Sequence, residues 1–131
     1  NNISYPRYLI KKCFSKNGVN WQVNGEKVIN FKNKKEVAIT RPWIISLEKK
    51  LVMFFSIKKR NYEIKTNILT NKSKWKRKKI FDFHKNKKIN FDSISQEYAS
   101  LIKYNKKIYM FYNGNQYGKD GIGLAIAKLN D

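Results

Sequence analysis

Short runs of Ile, Val, Phe, Tyr and Trp recur along the whole chain, separated by clusters of Asn, Gly, Lys and Ser. Brief β-branched and aromatic runs bounded by turn formers point to strands rather than helices. The pattern predicts strands at 8–14, 27–30, 43–47, 51–57, 62–69, 74–79, 99–104, 107–113 and 121–129. No segment sustains the 3.6-residue helical period; the stretch 96–103 comes nearest. The fold class read from this pattern is all-β.

The runs also repeat. A slide of 57 residues, which carries Ile44 onto Leu101, superposes 44–56 on 101–113 without a gap. Each copy reads as a strand, a lysine-rich turn and a second strand centred on Met53-Phe54 or Met110-Phe111. A slide of 54 residues, which carries Tyr8 onto Tyr62, also carries Trp21 onto Trp75. Combined, one unit runs strand, hairpin, strand, loop, strand, turn and Trp-led strand in about 55 residues, the layout of a four-stranded propeller blade. The chain is then a single partial β-propeller domain over 1–131, with blade repeats at about 1–30, 37–80 and 93–129. Blades bury their faces only against neighbours. About two and a half of them are expected to self-associate, to stack openly, or to form the C-terminal part of something longer.

Thr40-Arg41-Pro42-Trp43-Ile44, then Met53-Phe54-Phe55-Ser56 and Tyr62-x-Ile64, resembles a blade of the five-bladed propeller proteins related to arabinanases, xylosidases and invertases. Phe91-Asp92-Ser93, Glu97-Tyr98-Ala99-Ser100, the run from Tyr109 to Gly118 and Gly121-Ile122-Gly123 are similar to the terminal blade of those glycosidase-like proteins. The resemblance covers nearly the whole chain but only the C-terminal blades of a full family member. It implies that the first strand of each blade lines a central channel and that the leading residues of that strand reach a sugar pocket.

Glycoside hydrolysis needs two carboxylates flanking the bond. The resemblance implies that the family's aspartate base lies in an N-terminal blade with no counterpart here. It places Glu97 at the start of an inner strand, where related enzymes carry a general acid, with Thr40 as its equivalent one blade earlier. Glu97 is therefore the catalytic candidate, and Glu36, Arg41, Asp92, Tyr98 and Asn113 are the substrate-binding candidates. Each has a plainer reading. Glu97 answers nearby lysines; Asp92 caps a turn; Arg41 holds a sugar hydroxyl or carboxylate bidentately, or pairs with Glu36. Trp43 and Tyr98 offer ring faces to a sugar or pack between blades, and Trp21 and Trp75 are structural.

Charge changes the picture in one respect. With 29 Lys plus Arg against 9 Asp plus Glu, the net charge is +20. Such a field attracts nucleic acid, anionic lipid or acidic glycans. Only Arg7, Arg41, Arg60 and Arg77 are arginine, however, and this scarcity disfavours nucleic-acid readout, which leans on bidentate arginine contacts. Cys13 is the only cysteine and His84 the only histidine, so no disulfide framework and no metal or cofactor is expected. His84 reads as an exposed loop residue. Apolar runs such as 51–57 are too short for a membrane-spanning helix. No signal-peptide pattern is seen, so a cytoplasmic location is favoured, while the start at Asn1 leaves processing or truncation open.

The leading expectation is a glycosidase-like propeller segment that binds carbohydrate and hydrolyses it only if the missing blades are supplied. The rival is a non-catalytic module that holds an anionic polymer, an acidic glycan or a nucleic acid, on its lysines. A third reading is a degenerate remnant with a fold and no activity.

Overall fold

A computed structural model of the chain describes residues 6–47, 49–70, 74–80 and 90–128. Among them are nine strands: β1 (Lys11–Lys12), β2 (Glu26–Lys27), β3 (Ala38–Leu47), β4 (Lys50–Lys58), β5 (Tyr62–Leu69), β6 (Trp75–Arg77), β7 (Glu97–Tyr104), β8 (Lys107–Asn113) and β9 (Ile122–Lys128). They form three antiparallel sheets in the orders β1-β2, β3-β4-β5-β6 and β7-β8-β9. The protein is all-β, and each sheet is a meander of sequential neighbours, as in a propeller blade.

The repeat seen in the sequence is also a repeat of backbone geometry. β3 and β7 each shift register at a bulge, between Thr40 and Trp43 and between Glu97 and Ser100. Arg41 (φ 53°) and Tyr98 (φ 57°) occupy the matching left-handed positions of the two bulges. In the following turns Lys49 (φ 62°) matches Lys106 (φ 56°). The second slide holds as well: the Ser15–Trp21 bridge falls on the Leu69–Trp75 pair of β5 and β6.

β4 explains why its sequence is a continuous apolar run rather than an alternating one: both of its faces are covered. Val52 and Phe54 pack with Leu47 and Ile64 against Ala99, Leu101, Ile108 and Met110 of the β7–β9 sheet. Met53, Phe55 and Ile57 pack with Ile39 against Ile10 and Ile29 of the N-terminal hairpin. Burying a side chain such as Phe54 or Phe55 contributes about 2–3 kcal/mol, so this strand anchors both sheet-to-sheet contacts.

The outer face of the β7–β9 sheet carries Ile102, Tyr104, Phe111, Ile122, Leu124 and Ile126, all exposed. By the 57-residue slide, Ile102, Tyr104 and Phe111 match Ile45, Leu47 and Phe54, which the β7–β9 sheet covers one blade earlier.

Several local expectations change. The 27–30 and 74–79 strands shorten to two and three residues. The strand expected at 99–104 is present and begins earlier, as β7 over Glu97–Tyr104. Trp43 is 40% exposed rather than core, and Trp21, 55% exposed, donates its indole N–H to the Gly18 carbonyl at 3.0 Å. A tight turn at Asn115–Gly118, which the hydrophobic pattern does not signal, links β8 to β9. His84 lies outside the described residues. Among those described, no helix is long and apolar enough to cross a membrane.

Candidate functional site

The two bulges and the Asn115–Gly118 turn converge on one cluster. A bulge re-aims the side chain at its extra residue and is frequent beside active sites. Here the β3 bulge carries Arg41, the β7 bulge carries Tyr98, and the turn carries Tyr117 at φ 61°. Non-glycine residues rarely take this conformation, at a cost of about 1–3 kcal/mol when they do. The surrounding contacts hold them there. Tyr98 donates its backbone N–H to the buried Ser56 hydroxyl of β4 at 2.8 Å, tying the bulge to the neighbouring sheet.

Buried Asn115 fixes the turn. Its Oδ1 accepts the N–H groups of Ile94 and Ser95, both at 2.9 Å, and its Nδ2 donates to the Asn90 carbonyl at 3.1 Å. Its own N–H donates to the Phe91 carbonyl at 2.6 Å. Gly114 is required there, because a Cβ would run into that same Phe91 carbonyl. Asn113 faces Glu97 across the β7–β8 ladder and donates through Nδ2 to the Tyr117 carbonyl at 3.1 Å.

Three tyrosine rings meet as a result. Tyr62 stands edge-on to Tyr98, with centroids 5.5 Å apart, and to Tyr117 at 5.9 Å, while Tyr98 and Tyr117 are 6.4 Å apart. Cations lie over the rings: Arg41 over Tyr98 at 5.2 Å, and Lys58 over Tyr62 at 5.4 Å and Tyr117 at 6.0 Å. Lys58 also donates to the Tyr117 hydroxyl at 3.3 Å. That bond is the main reason the Lys58 ammonium is held above the usual lysine range, with the nearby tyrosines and Glu97 adding to it against burial.

Glu97 forms the floor. It is only 2% exposed, and its Oε2 has no hydrogen-bond partner. Burial pushes its carboxyl above the usual carboxylate range. The Ser95 hydroxyl, the Tyr117 backbone N–H and the Lys58 charge oppose this without offsetting it. Burial likewise drives the Tyr62 hydroxyl well above the ordinary tyrosine range. The arrangement is a buried acid whose carboxyl is pushed above the usual range, beside the Tyr117 backbone and the Lys58 charge, with Arg41 and Lys58 over the neighbouring tyrosine rings.

Of the residues singled out from sequence, the fold brings together Glu97, Arg41, Tyr98 and Asn113. Asp92 sits in the adjacent loop, where its Oδ2 accepts from Gln96 at 3.0 Å and from the Tyr112 hydroxyl at 2.8 Å. Burial and that bond together push Tyr112 up to about 12. Glu36 is elsewhere. Its carboxylate takes a two-pronged contact from Arg77, at 2.7 and 2.8 Å, and the Lys32 N–H at 2.7 Å. The Arg41–Glu36 pair considered above therefore does not form, because Arg77 of β6 reaches Glu36 first. Tyr62, Lys58 and Tyr117 are not among the residues that the sequence singles out. The one available signal is the setting of Tyr117 between Gly114 and Gly118, a spacing that marks a tight turn. Among the described residues, no group of three or more His, Cys, Asp and Glu side chains is placed to hold a metal ion.

No protein-family model matches the sequence, and no curated protein matches it. Two solved structures share its fold. One is an RGII complex of BT0996, with a TM-score of 0.61 and 18% identity, covering 91% of this chain and 35% of that one. The other is a glycoside hydrolase, with a TM-score of 0.64 and 20% identity, again covering 91% of this chain and 35% of that one. The chain thus spans 35% of the length of these structures.

Proposed function

We propose that the chain is a carbohydrate-binding segment of a glycosidase-like five-bladed propeller, with Glu97 as its proton donor. The observation that carries this reading is the buried Glu97 carboxyl, whose Oε2 is unpartnered. Fold similarity to a glycoside hydrolase and to a protein in complex with RGII, a carbohydrate, supports it. Sugars present an apolar ring face to aromatics and hydroxyls to polar groups, and the cluster supplies both kinds of partner.

Chemically, a carboxyl that burial makes hold its proton more tightly than an ordinary carboxylic acid can donate to a glycosidic oxygen as the bond breaks. The second carboxylate of a hydrolytic pair must activate water or attack the anomeric carbon. The other buried carboxylates, Glu36 and Asp92, are already occupied by Arg77 and by Gln96 with Tyr112. The chain alone therefore binds, and hydrolysis needs a base from blades that a partner or a longer chain supplies. Self-association through the outer face of the β7–β9 sheet is one way to supply a neighbour.

The test is calorimetric titration of the purified chain with a panel of neutral and acidic oligosaccharides. Saturable binding that Tyr98→Ala weakens about tenfold, the scale of one lost aromatic contact, is the expected result. Absence of binding across the panel, or affinity indifferent to both Tyr98→Ala and Glu97→Gln, would overturn the proposal.

A further inference from the structure

Resting on that carbohydrate-binding reading, we infer that the site takes an acidic sugar, a hexuronic acid unit whose carboxylate is held by Arg41 and Lys58. Of the four arginines, Arg7 and Arg77 serve the Glu36 loop. Arg7 donates to the Glu36 carbonyl and lies over Phe31, and Arg77 grips the Glu36 carboxylate and the Asn30 carbonyl. Arg41 is different. It is exposed, it is set at a left-handed bulge residue over the Tyr98 ring, and no carboxylate pairs with it among the described residues. Guanidinium is the side chain best shaped to grip a carboxylate with two parallel hydrogen bonds.

Lys58 stands on the other side of the same rings, half-buried and tethered through the Tyr117 hydroxyl. Among the described residues, the carboxyl in the cluster is Glu97. It is buried, one of its oxygens is unpartnered, and its charge acts on Lys58 rather than pairing with Arg41. Lys58 thus has a carboxyl within reach of its charge, while Arg41 has no carboxylate partner among the described residues. A neutral hexose leaves the exposed Arg41 facing water. A uronate replaces the C6 hydroxymethyl with a carboxylate and gives Arg41 a partner with Lys58 nearby, while its ring still meets the tyrosines.

General attraction to a chain of +20 charge must be separated from recognition at this site. The experiment titrates the full chain with glucuronic and galacturonic acid trisaccharides, their methyl esters, and the matching neutral trisaccharides, in about 0.15 M salt to screen long-range charge. The ester keeps the shape and removes the charge. The inference expects at least one acid to bind about tenfold or more tighter than its ester, the scale of a charge-assisted bidentate contact. Arg41→Gln is expected to erase that preference, Lys58→Gln to reduce it, and Arg60→Gln, an exposed cation in the β4–β5 turn, to leave both the preference and the ester affinity intact.

Equal binding of acids, esters and neutral sugars would overturn the acidic-sugar inference and leave the carbohydrate reading standing. A preference lost equally in Arg60→Gln, or competed away by inorganic phosphate at similar concentration, would show diffuse charge and overturn it as well. No binding by any sugar would overturn both.

Discussion

Glu97 and Glu36 are both 2% exposed, yet their proton affinities move in opposite directions, and the difference is made by what each carboxylate touches. Glu36 meets the Arg77 guanidinium, the largest influence on it, and the Lys32 N–H, and it is held below the usual carboxylate range. A lowered folded value contributes stability that is present above the unfolded value and lost as pH falls through the folded one. Arg77→Met should therefore cost about 3 kcal/mol at neutral pH, the scale of a carboxylate left buried without its partner, and less in acid, where Glu36 is protonated. Urea unfolding at the two pH values checks this. Glu97 has the reverse sign. A raised folded value contributes stability that is present below the unfolded value and lost as pH rises through the folded one. Glu97→Gln, which mimics the neutral acid, should raise the Tm by a few degrees at neutral pH, with the gap closing in acid; a gap that widens in acid would show that the carboxylate is not desolvated. Asn67 offers a third case. It is fully buried in β5, and both its amide oxygen and its amide nitrogen lack partners. Two unpaired polar atoms in a core each cost about 1–3 kcal/mol, so Asn67→Leu should leave the Tm unchanged or raise it.

Strands, more than single residues, were legible in the sequence. The aromatic and β-branched runs marked β3, β4, β5, β7, β8 and β9, and the Met53-Phe54 and Met110-Phe111 match revealed that two sheets share one plan, because buried strands repeat the side chains that fill repeated spaces. The bulges were not legible. A left-handed residue usually announces itself as Gly or Asn, whereas these positions hold Arg41, Tyr98 and Tyr117. Three of the seven residues of the candidate site were hidden: Glu97, Arg41, Tyr98 and Asn113 lie on strands that the repeat aligns, but Tyr117 owes its place to a strained turn. Lys58 and Tyr62 owe theirs to the β4–β5 hairpin, which brings the end of one strand and the start of the next to the same rim. Ordinary substitution rules should invert at such a bulge. Arg41 is exposed and fills no core space, so Arg41→Gly should be more stable than Arg41→Ala by about 1 kcal/mol, the penalty that a Cβ incurs in the left-handed region. Thermal melts of the two variants measure this, and an alanine variant equal to or more stable than the glycine one would show that the bulge relaxes in solution.

Two opposing forces set the behaviour of the whole molecule. On the exposed face, Ile102 and Phe111 repeat positions that the β3–β6 sheet buries against the β7–β9 sheet, Leu124 and Ile126 lie on the neighbouring strand, and contiguous apolar surface of this kind mediates association. Against it stands a net charge of +20, which keeps like chains apart at low ionic strength. The Debye length shrinks from about 30 Å at 0.01 M to about 8 Å at 0.15 M salt, so added salt removes repulsion between chains while leaving the apolar attraction in place. If that face is where copies meet, the weight-average mass in sedimentation equilibrium should rise with both protein concentration and salt. A Phe111→Lys, Leu124→Lys pair should abolish the rise with little effect on the Tm, since both side chains are already exposed, 41% and 50% respectively. A mass that stays monomeric at every salt concentration would show that copies do not meet through this face. Because acidic-sugar binding should weaken with salt while association strengthens, the two processes can be followed in one titration and assigned separately.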